Sequence, residues 1–248
     1  MQDILTRPAR LQPGMVWLIG AGPGAVDLIT VRGATLLQQA EVVLYDALVT
    51  PEILQLCSQA ILISVGKRSG QRSTAQTVIN EQLIACALRF ERVVRLKGGD
   101  PMLFGRADEE LTALESANID FEIVPGITTA FAAAAALRQP LTKRGVARNV
   151  AFFTSTTAQG ETDEPALPSC DTLIQYMGGQ EAISTAKRLL AAGKSAETTV
   201  IAIENVSRAN QRVMRMTLAQ MAEGLPDCAG PVLVMIGEAL RQRIKKSD

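Results

Sequence analysis

Histidine is missing from all 248 residues of the chain. Imidazole is therefore excluded as general base, nucleophile orienter or metal ligand, and proton chemistry falls to carboxylates, Lys, Tyr, Cys, substrate or water. Cysteine is sparse as well: Cys57, Cys86, Cys170 and Cys228 lie in unrelated segments with no C-x-x-C. The usual zinc ligand sets cannot be assembled from this inventory, and no metal is expected. The thiols are expected as small buried side chains, which fits a reducing, cytoplasmic setting. Neither sign of charge is in excess, since Lys plus Arg equals Asp plus Glu at 25 each. No global field attracts nucleic acid or an acidic membrane, so any basic site must be local. No apolar run reaches the ~18 residues that a membrane span needs. The opening "MQDILTRPARLQPG" lacks the apolar core of a secretory signal. Residues 1–14 read as a loose tail.

What is present is an ordinary globular composition, 47% hydrophobic and 20% charged, with length enough to bury a substantial core. Strand-like runs alternate with helical patterns: "MVWLIG" (15–20), "TVRGATLLQQA" (30–40), "EVVLY" (41–45), "AILISV" (60–65), "STAQTVINEQLIACALRF" (73–90), "ERVVRL", a helix near 105–117, and "FEIVP" (121–125). Continuous apolar strands between helices predict a mainly parallel sheet covered on both faces. The alanine-rich helix in "PGITTAFAAAAALRQP" is stopped by Pro140, with Thr128 as its expected N-cap. A second block holds "VAFFT", "TLIQYM", a helix over 180–192 closed by Gly193, "TTVIAIE", "QRVMRMT" and "GPVLVMIG". The alternation in "QRVMRMT" predicts an antiparallel strand. Two α/β domains are expected, residues 15–140 and 141–248.

Two glycine turns end strands in the first block. "VWLIGAGPGAVD" fits the G-x-G-x-x-A form of the dinucleotide fingerprint through Gly20, Gly22 and Ala25, and Asp46 ends the next strand where a ribose-binding acid would sit. Against that reading, Pro23 and Gly24 interrupt the turn and the helix begins only near Thr30. A dinucleotide turn opens directly into its helix. The second turn, "VVRLKGGDP", places adjacent glycines at a strand end, where backbone amides can approach a ligand with no intervening Cβ. Asp100 adds an acceptor and Pro101 stiffens the exit. Composition alone leaves a plain tight turn equally open.

"GAGPG", "VVLYDALV", "VGKRSG", "VVRLKGGDP", "FGR" with "EE", "VPGIT", "PLT" and "YMG" occur in this order from about residue 15 to 240. Together they resemble the uroporphyrinogen-III C-methyltransferases of the tetrapyrrole methylase superfamily. "GKR", "RLKGGDP" and "FGR" are particular to that branch, whereas "GPG" and "PGI" are shared more widely. The fused dehydrogenase/ferrochelatase domain of some sirohaem synthases is not expected here. The resemblance implies two α/β domains with S-adenosylmethionine in the cleft between them. Pro23, Gly98, Gly99, Asp100, Leu103, Thr128, Thr129 and Met177 match its cofactor-lining positions. Arg106, Glu109, Arg144 and Met177 fall on the substrate side, where the two arginines suit a polycarboxylate. Without the resemblance each is a solvated surface arginine.

By the same resemblance Asp46 is a proton acceptor and Lys67 a proton donor, with Arg106 beside the reacting groups. Read alone, Asp46 is a turn or capping aspartate and Lys67 a surface charge. Two transfers would give precorrin-2 and two S-adenosylhomocysteines, feeding sirohaem, cobalamin or haem d1, in a cytoplasmic homodimer. The chain departs from the family pattern at Ala107-Asp108, Lys143, Ser155-Thr156, Val206 and Gln71. Three alternatives stay open: a paralogue acting on another tetrapyrrole, a nicotinamide- or flavin-dependent oxidoreductase using Gly20–Ala25, and a non-catalytic S-adenosylmethionine-binding module.

Overall fold

The computed structural model describes residues 7–66, 76–155 and 166–242. The chain divides into two compact units, Met1–Thr128 and Thr129–Asp248. The division falls one helix before the boundary near 140, because the alanine-rich helix Thr129–Leu137 groups with the second unit.

Five parallel strands form the first unit: β1 (Met15–Gly20), β2 (Val42–Tyr45), β3 (Ile61–Ser64), β4 (Arg92–Lys97) and β5 (Phe121–Val124). Their order across the sheet is β3-β2-β4-β1-β5. Alternate side chains serve opposite faces. Val16, Leu18, Val42, Leu44 and Val93 pack with Leu83, Cys86 and Leu114 from the helices Gln76–Ala87 and Ala107–Ser116. Ile19, Val43, Val94 and Leu96 pack with Leu37 and Ile53 from the helices Val31–Gln39 and Pro51–Leu54. Burial on both faces is why β1, β2 and β4 read as unbroken apolar runs, whereas the edge strand β3 is largely exposed.

Strand order also fixes which helix covers which face. The chain moves one way across the sheet from β1 through β2 to β3, then back through β4 to β5. Right-handed crossovers running in opposite directions must lie on opposite faces, as the two clusters do. Neighbouring strands β1 and β4 therefore send their connections to opposite sides. Their carboxyl ends form the switch point at which open α/β sheets bind ligands.

In the second unit β6 (Val150–Thr154), β7 (Thr172–Tyr176), β8 (Thr199–Glu204), β9 (Arg212–Thr217) and β10 (Val232–Ile236) are ordered β6-β7-β10-β8-β9. β6 runs parallel to β7 and the other pairs are antiparallel. "QRVMRMT" is thus the antiparallel strand its alternation predicts. The helix Gly178–Ala191 lays Ala182, Ala186 and Leu189 on Val200 and Val234. It stops where expected: Gly193 is left-handed (φ 87°), its amide bonds Leu190 O at 2.9 Å, and Lys194 N bonds Leu189 O at 3.0 Å. That is a Schellman closure, in which glycine avoids the Cβ penalty. Val206, one of the departures, is buried, and Ser155 bonds Thr185 at 2.9 Å.

All four cysteines are free thiols. Burial pushes Cys57 and Cys86 up to about 11. Cys170 and Cys228 are only half-buried, contrary to the expectation that all would be interior. Among the described residues no helix is long and apolar enough to cross a membrane.

Candidate functional site

The loops that leave β1, β4 and β5 meet backbone to backbone. Gly22 and Gly99 form an isolated antiparallel bridge, with Gly99 N donating to Gly22 O at 2.7 Å and Gly22 N to Gly99 O at 3.1 Å. A Cβ placed on Gly20 would lie 2.5 Å from Gly126 Cα and 2.7 Å from Gly99 O. One on Gly126 would lie 2.2 Å from Gly99 O. These contacts leave no room for a side chain, which is the physical reason for glycine in "GAG" and "PGI". Gly99 differs. Its φ is 70°, and nothing lies within 4 Å of its would-be Cβ. Its open side is the cradle that a bound molecule can fill.

Two aspartates hold these loops in register. Asp46, just after β2, accepts Leu48 N at 2.9 Å and Gly98 N at 3.1 Å. Asp100 accepts Met102 N at 2.8 Å and Gly126 N at 2.9 Å. Thr50 adds a bond from its hydroxyl to Gly24 O at 2.9 Å, joining the loops after β2 and β1. The dinucleotide geometry is not formed: Gly22 is committed to the bridge, a short 3-10 turn follows at Val26–Leu28, and the helix begins at Val31. Thr30 is its N-cap, accepting Gly33 N at 3.1 Å.

Beyond Asp100 the chain forms a charged arm that leads into the helix Ala107–Ser116. Phe104 and Arg106 both take left-handed backbone (φ 53°) around Gly105, a cost of roughly 1–2 kcal/mol for each non-glycine residue. Arg106 grips Glu109 with two parallel bonds, Nε to Oε1 at 2.7 Å and a terminal nitrogen to Oε2 at 2.8 Å. The arginine holds the exposed Glu109 carboxyl below the usual carboxylate range. Ala107, another departure, is buried and opens the helix.

Glu110 turns the other way. It is fully buried and accepts Arg95 Nε at 2.9 Å and Lys97 Nζ at 2.7 Å. Gln76 adds a donor at 3.3 Å. Burial pushes the Lys97 ammonium below the usual lysine value and Arg95 adds to this, while Glu110 and then Asp46 oppose it. Two buried cations sharing one carboxylate leave the cluster unbalanced in a medium where isolated charge is costly.

Pro23, Asp46, Gly98, Gly99, Asp100, Leu103, Arg106, Glu109 and Thr128 all belong to the first unit, and most lie on the converging loops. Thr129, Arg144 and Met177 belong to the second unit. Arg144 is exposed in a turn closed by the Lys143–Ala147 bridge, and Met177 is exposed and left-handed (φ 56°) ahead of its helix. Lys67 and the departures Gln71 and Thr156 lie outside the described residues. Sequence reading assigned no role to Gly126, Arg95, Lys97 or Glu110. A signal for the last three was present: Arg95 and Lys97 occupy alternate positions of an otherwise apolar buried strand.

Comparison with known proteins agrees with this architecture. The chain is 47% identical over 231 residues to siroheme synthase from Tolumonas auensis, a match covering 91% of this chain and 49% of that protein. It thus spans about half the length of the curated relatives it matches. Uroporphyrin-III C-methyl transferase from Thermus thermophilus, solved with S-adenyl homocysteine, superposes with a TM-score of 0.81 at 34% identity, covering 92% of this chain and 94% of that one. A cobalt precorrin-4 methyltransferase gives a TM-score of 0.74 at 28% identity, covering 92% and 96%. The family model for Tetrapyrrole (Corrin/Porphyrin) Methylases matches residues 15–222, most of the described fold and every loop of the glycine junction, and the chain belongs to that family.

Proposed function

We propose that the chain transfers methyl groups from S-adenosylmethionine to carbon atoms of uroporphyrinogen-III, in two rounds that give precorrin-2. The observation that carries this reading is the glycine junction at the β1/β4 switch point, with the free face of Gly99 at its centre. The Thermus thermophilus relative, solved with the demethylated product of that donor, supports the choice of cofactor. Pro23, Gly98, Gly99, Asp100, Leu103 and Thr128 of the first unit would hold the donor, together with Thr129 and Met177. When bound, the sulfonium supplies an electrophilic methyl group.

The chain's own residues then have three tasks. The stitched glycine loops orient the donor, converting an encounter into a near-attack geometry. Arg106 and Arg144 bind the carboxylate rim of the acceptor by charge-assisted bonds. A proton must leave the macrocycle after each transfer, and Asp46 is the proposed acceptor, a role that falls to a carboxylate in a chain without histidine. Lys67 is the proposed donor for a tautomer shift of the macrocycle, in which a proton lost at one position is returned at another, so that one proton still leaves for each methyl gained. Arg106 must exchange Glu109 for an acceptor carboxylate, one acidic partner for another.

Mass spectrometry of the product from uroporphyrinogen-III and S-adenosylmethionine tests the reading. A gain of two methyl groups is expected. Cofactor binding with no gain would overturn the acceptor assignment. A gain on a later corrin intermediate only would favour a cobalt precorrin-4-like reaction, the second reading that the fold likeness favours. A cytoplasmic homodimer belongs to the same proposal, and sedimentation of the purified chain tests its assembly.

A further inference from the structure

The unbalanced buried cluster under the cofactor turn has a place for its extra cation. β2 and β4 are neighbours with Leu44 opposite Arg95 and Tyr45 opposite Leu96, so Asp46 and Lys97 are the next residues along facing strands. Arg95 and Lys97 alternate with Leu96 and share the face covered by the helix Ala107–Ser116. That helix brings Glu110 onto Lys97 Nζ and carries Glu109 beside it. The helix Gln76–Ala87 contributes only amides there, Gln76 to Glu110 and Asn80 to Glu109 O at 3.0 Å. Arg95 already has Glu110 and two carbonyls, Leu44 O at 3.4 Å and Leu96 O at 3.1 Å.

A purely structural pair needs only one of the two cations. Arg95 with Glu110 would be a neutral buried couple, and an added ammonium would be a pure desolvation cost. Among the described residues the charges close once Asp46 and the exposed Arg106–Glu109 pair are included: Arg95, Lys97 and Arg106 against Asp46, Glu109 and Glu110. In this set Lys97 lies between the acid that holds Gly98 N and the acid that holds Arg106.

We propose that Lys97 is a positioning residue: anchored by Glu110, its ammonium fixes the Asp46 carboxylate across the β2–β4 pair and thereby sets the loop after β2 against the cofactor turn. Its effect on turnover rests on the reading of Asp46 as the proton acceptor; its effect on loop position does not. Asp100 provides an internal control, because it makes the same kind of stitch and Glu110 does not hold it.

The test is amide hydrogen exchange on the folded chain, comparing Lys97→Met, Asp46→Asn and the double variant, with single-turnover methylation in parallel. Exchange at Leu48 and Gly98, the two amides bonded to Asp46, should quicken about tenfold or more in Lys97→Met, since exchange follows local opening. Met102 and Gly126, bonded to Asp100, should be unchanged. Asp46→Asn should reproduce the pattern, and the double variant should add nothing, the signature of two residues acting through one contact. Turnover should fall in Lys97→Met and fall no further when Asp46 is already Asn.

Unchanged exchange at Leu48 and Gly98 overturns the proposal. So does equal quickening at all four amides, which marks general loosening. Lys97→Gln, which keeps a bond to Glu110, stands in if the Met variant does not fold; failure of both overturns the proposal by making the ammonium a requirement of the fold. If the exchange pattern appears but the native chain adds no methyl to uroporphyrinogen-III, the positioning stands and the functional reading falls.

Discussion

Asp46 and Asp100 do the same work on neighbouring loops. Each gives one carboxylate oxygen to the amide two residues ahead and the other to a glycine amide of a different loop: Leu48 and Gly98 for Asp46, Met102 and Gly126 for Asp100. With the Gly22–Gly99 bridge, the loop after β4 is tied to the loops after β2, β1 and β5, the last of them past the intervening β1. The expected ligand-facing acid at 100 is thus also a clasp within the protein.

Asp100→Ala should release the β5 loop from the junction. Hydrogen bonds to charged groups contribute about 1.5–3 kcal/mol each, and two are lost at a half-buried site, so destabilisation of about 1–3 kcal/mol is expected. Affinity for S-adenosylhomocysteine should fall at least tenfold, about 1.4 kcal/mol. Thermal unfolding and titration calorimetry measure the two. Undiminished affinity in a folded variant would show that the clasp to Gly126 is not needed for binding.

Gly99 and Gly20 should fail in different ways. The Cβ of a valine at 99 meets no protein atom within 4 Å, so the protein should fold with a strain cost of about 1–3 kcal/mol while the cofactor face is blocked. Alanine at 20 would drive a Cβ into the Gly126 backbone and should compromise folding itself. Circular dichroism with calorimetric titration separates a folded non-binder from an unfolded chain. Normal binding by Gly99→Val would remove this turn from the site.

Arg106→Leu should barely alter stability, because its partner Glu109 is exposed and such pairs contribute about 0–1 kcal/mol. Cofactor affinity should survive. The cost should appear as a fall in kcat/KM for the tetrapyrrole of roughly tenfold or more, the loss of one charge-assisted contact. A matching loss of cofactor affinity would mean that the arm and the glycine turn are one mechanical unit.

Acid stability should depend on Glu204 in the second unit. Its carboxylate accepts Gly230 N and Ala229 N, each at 2.7 Å, and Arg212 Nε at 2.7 Å. The Gly230 amide is the main cause that lowers its pKa below the usual glutamate value, burial opposes it, and the Ala229 amide and Arg212 lower it further. A depressed folded value means that the stabilisation is present above 4.5 and is lost as pH falls through the folded value. Glu204→Gln should flatten the decline in melting temperature below pH 4.5. An unchanged acid limb would place that dependence on other carboxylates, such as Asp171, whose value is lowered chiefly by the Arg148 amide.

Much of the first unit was readable because its inner strands β1, β2 and β4 are buried on both faces and helices follow the strands in turn. The late helix start at Val31 was also visible, since Pro23 and Gly24 cannot continue the turn as helix. What could not be read was the sharing of roles among adjacent acids. Glu109 and Glu110 look alike in "ADEE", yet one faces solvent toward Arg106 and the other is sealed between Arg95 and Lys97. That choice depends on the rotation of the helix Ala107–Ser116 over β4. Packing sets it, not local pattern. Gly126 escaped for a similar reason, its constraint coming from Gly99 and from Gly20, the latter more than a hundred positions away.

β1 lies between the other two strands of the glycine junction and is made before the other strands of its sheet. Both of its neighbours come much later, since residues 15–20 pair with 92–97 on one side and their central part with 121–124 on the other. At ribosomal speed the gap of about 100 residues lasts roughly 5–20 s. Until β4 is made, an apolar strand, "MVWLIG", has two open hydrogen-bonding edges and no native partner for either, and one edge stays open until β5 follows. The central position that lets β1 deliver its glycines between two other loops also makes it the segment most dependent on protection while the nascent chain grows.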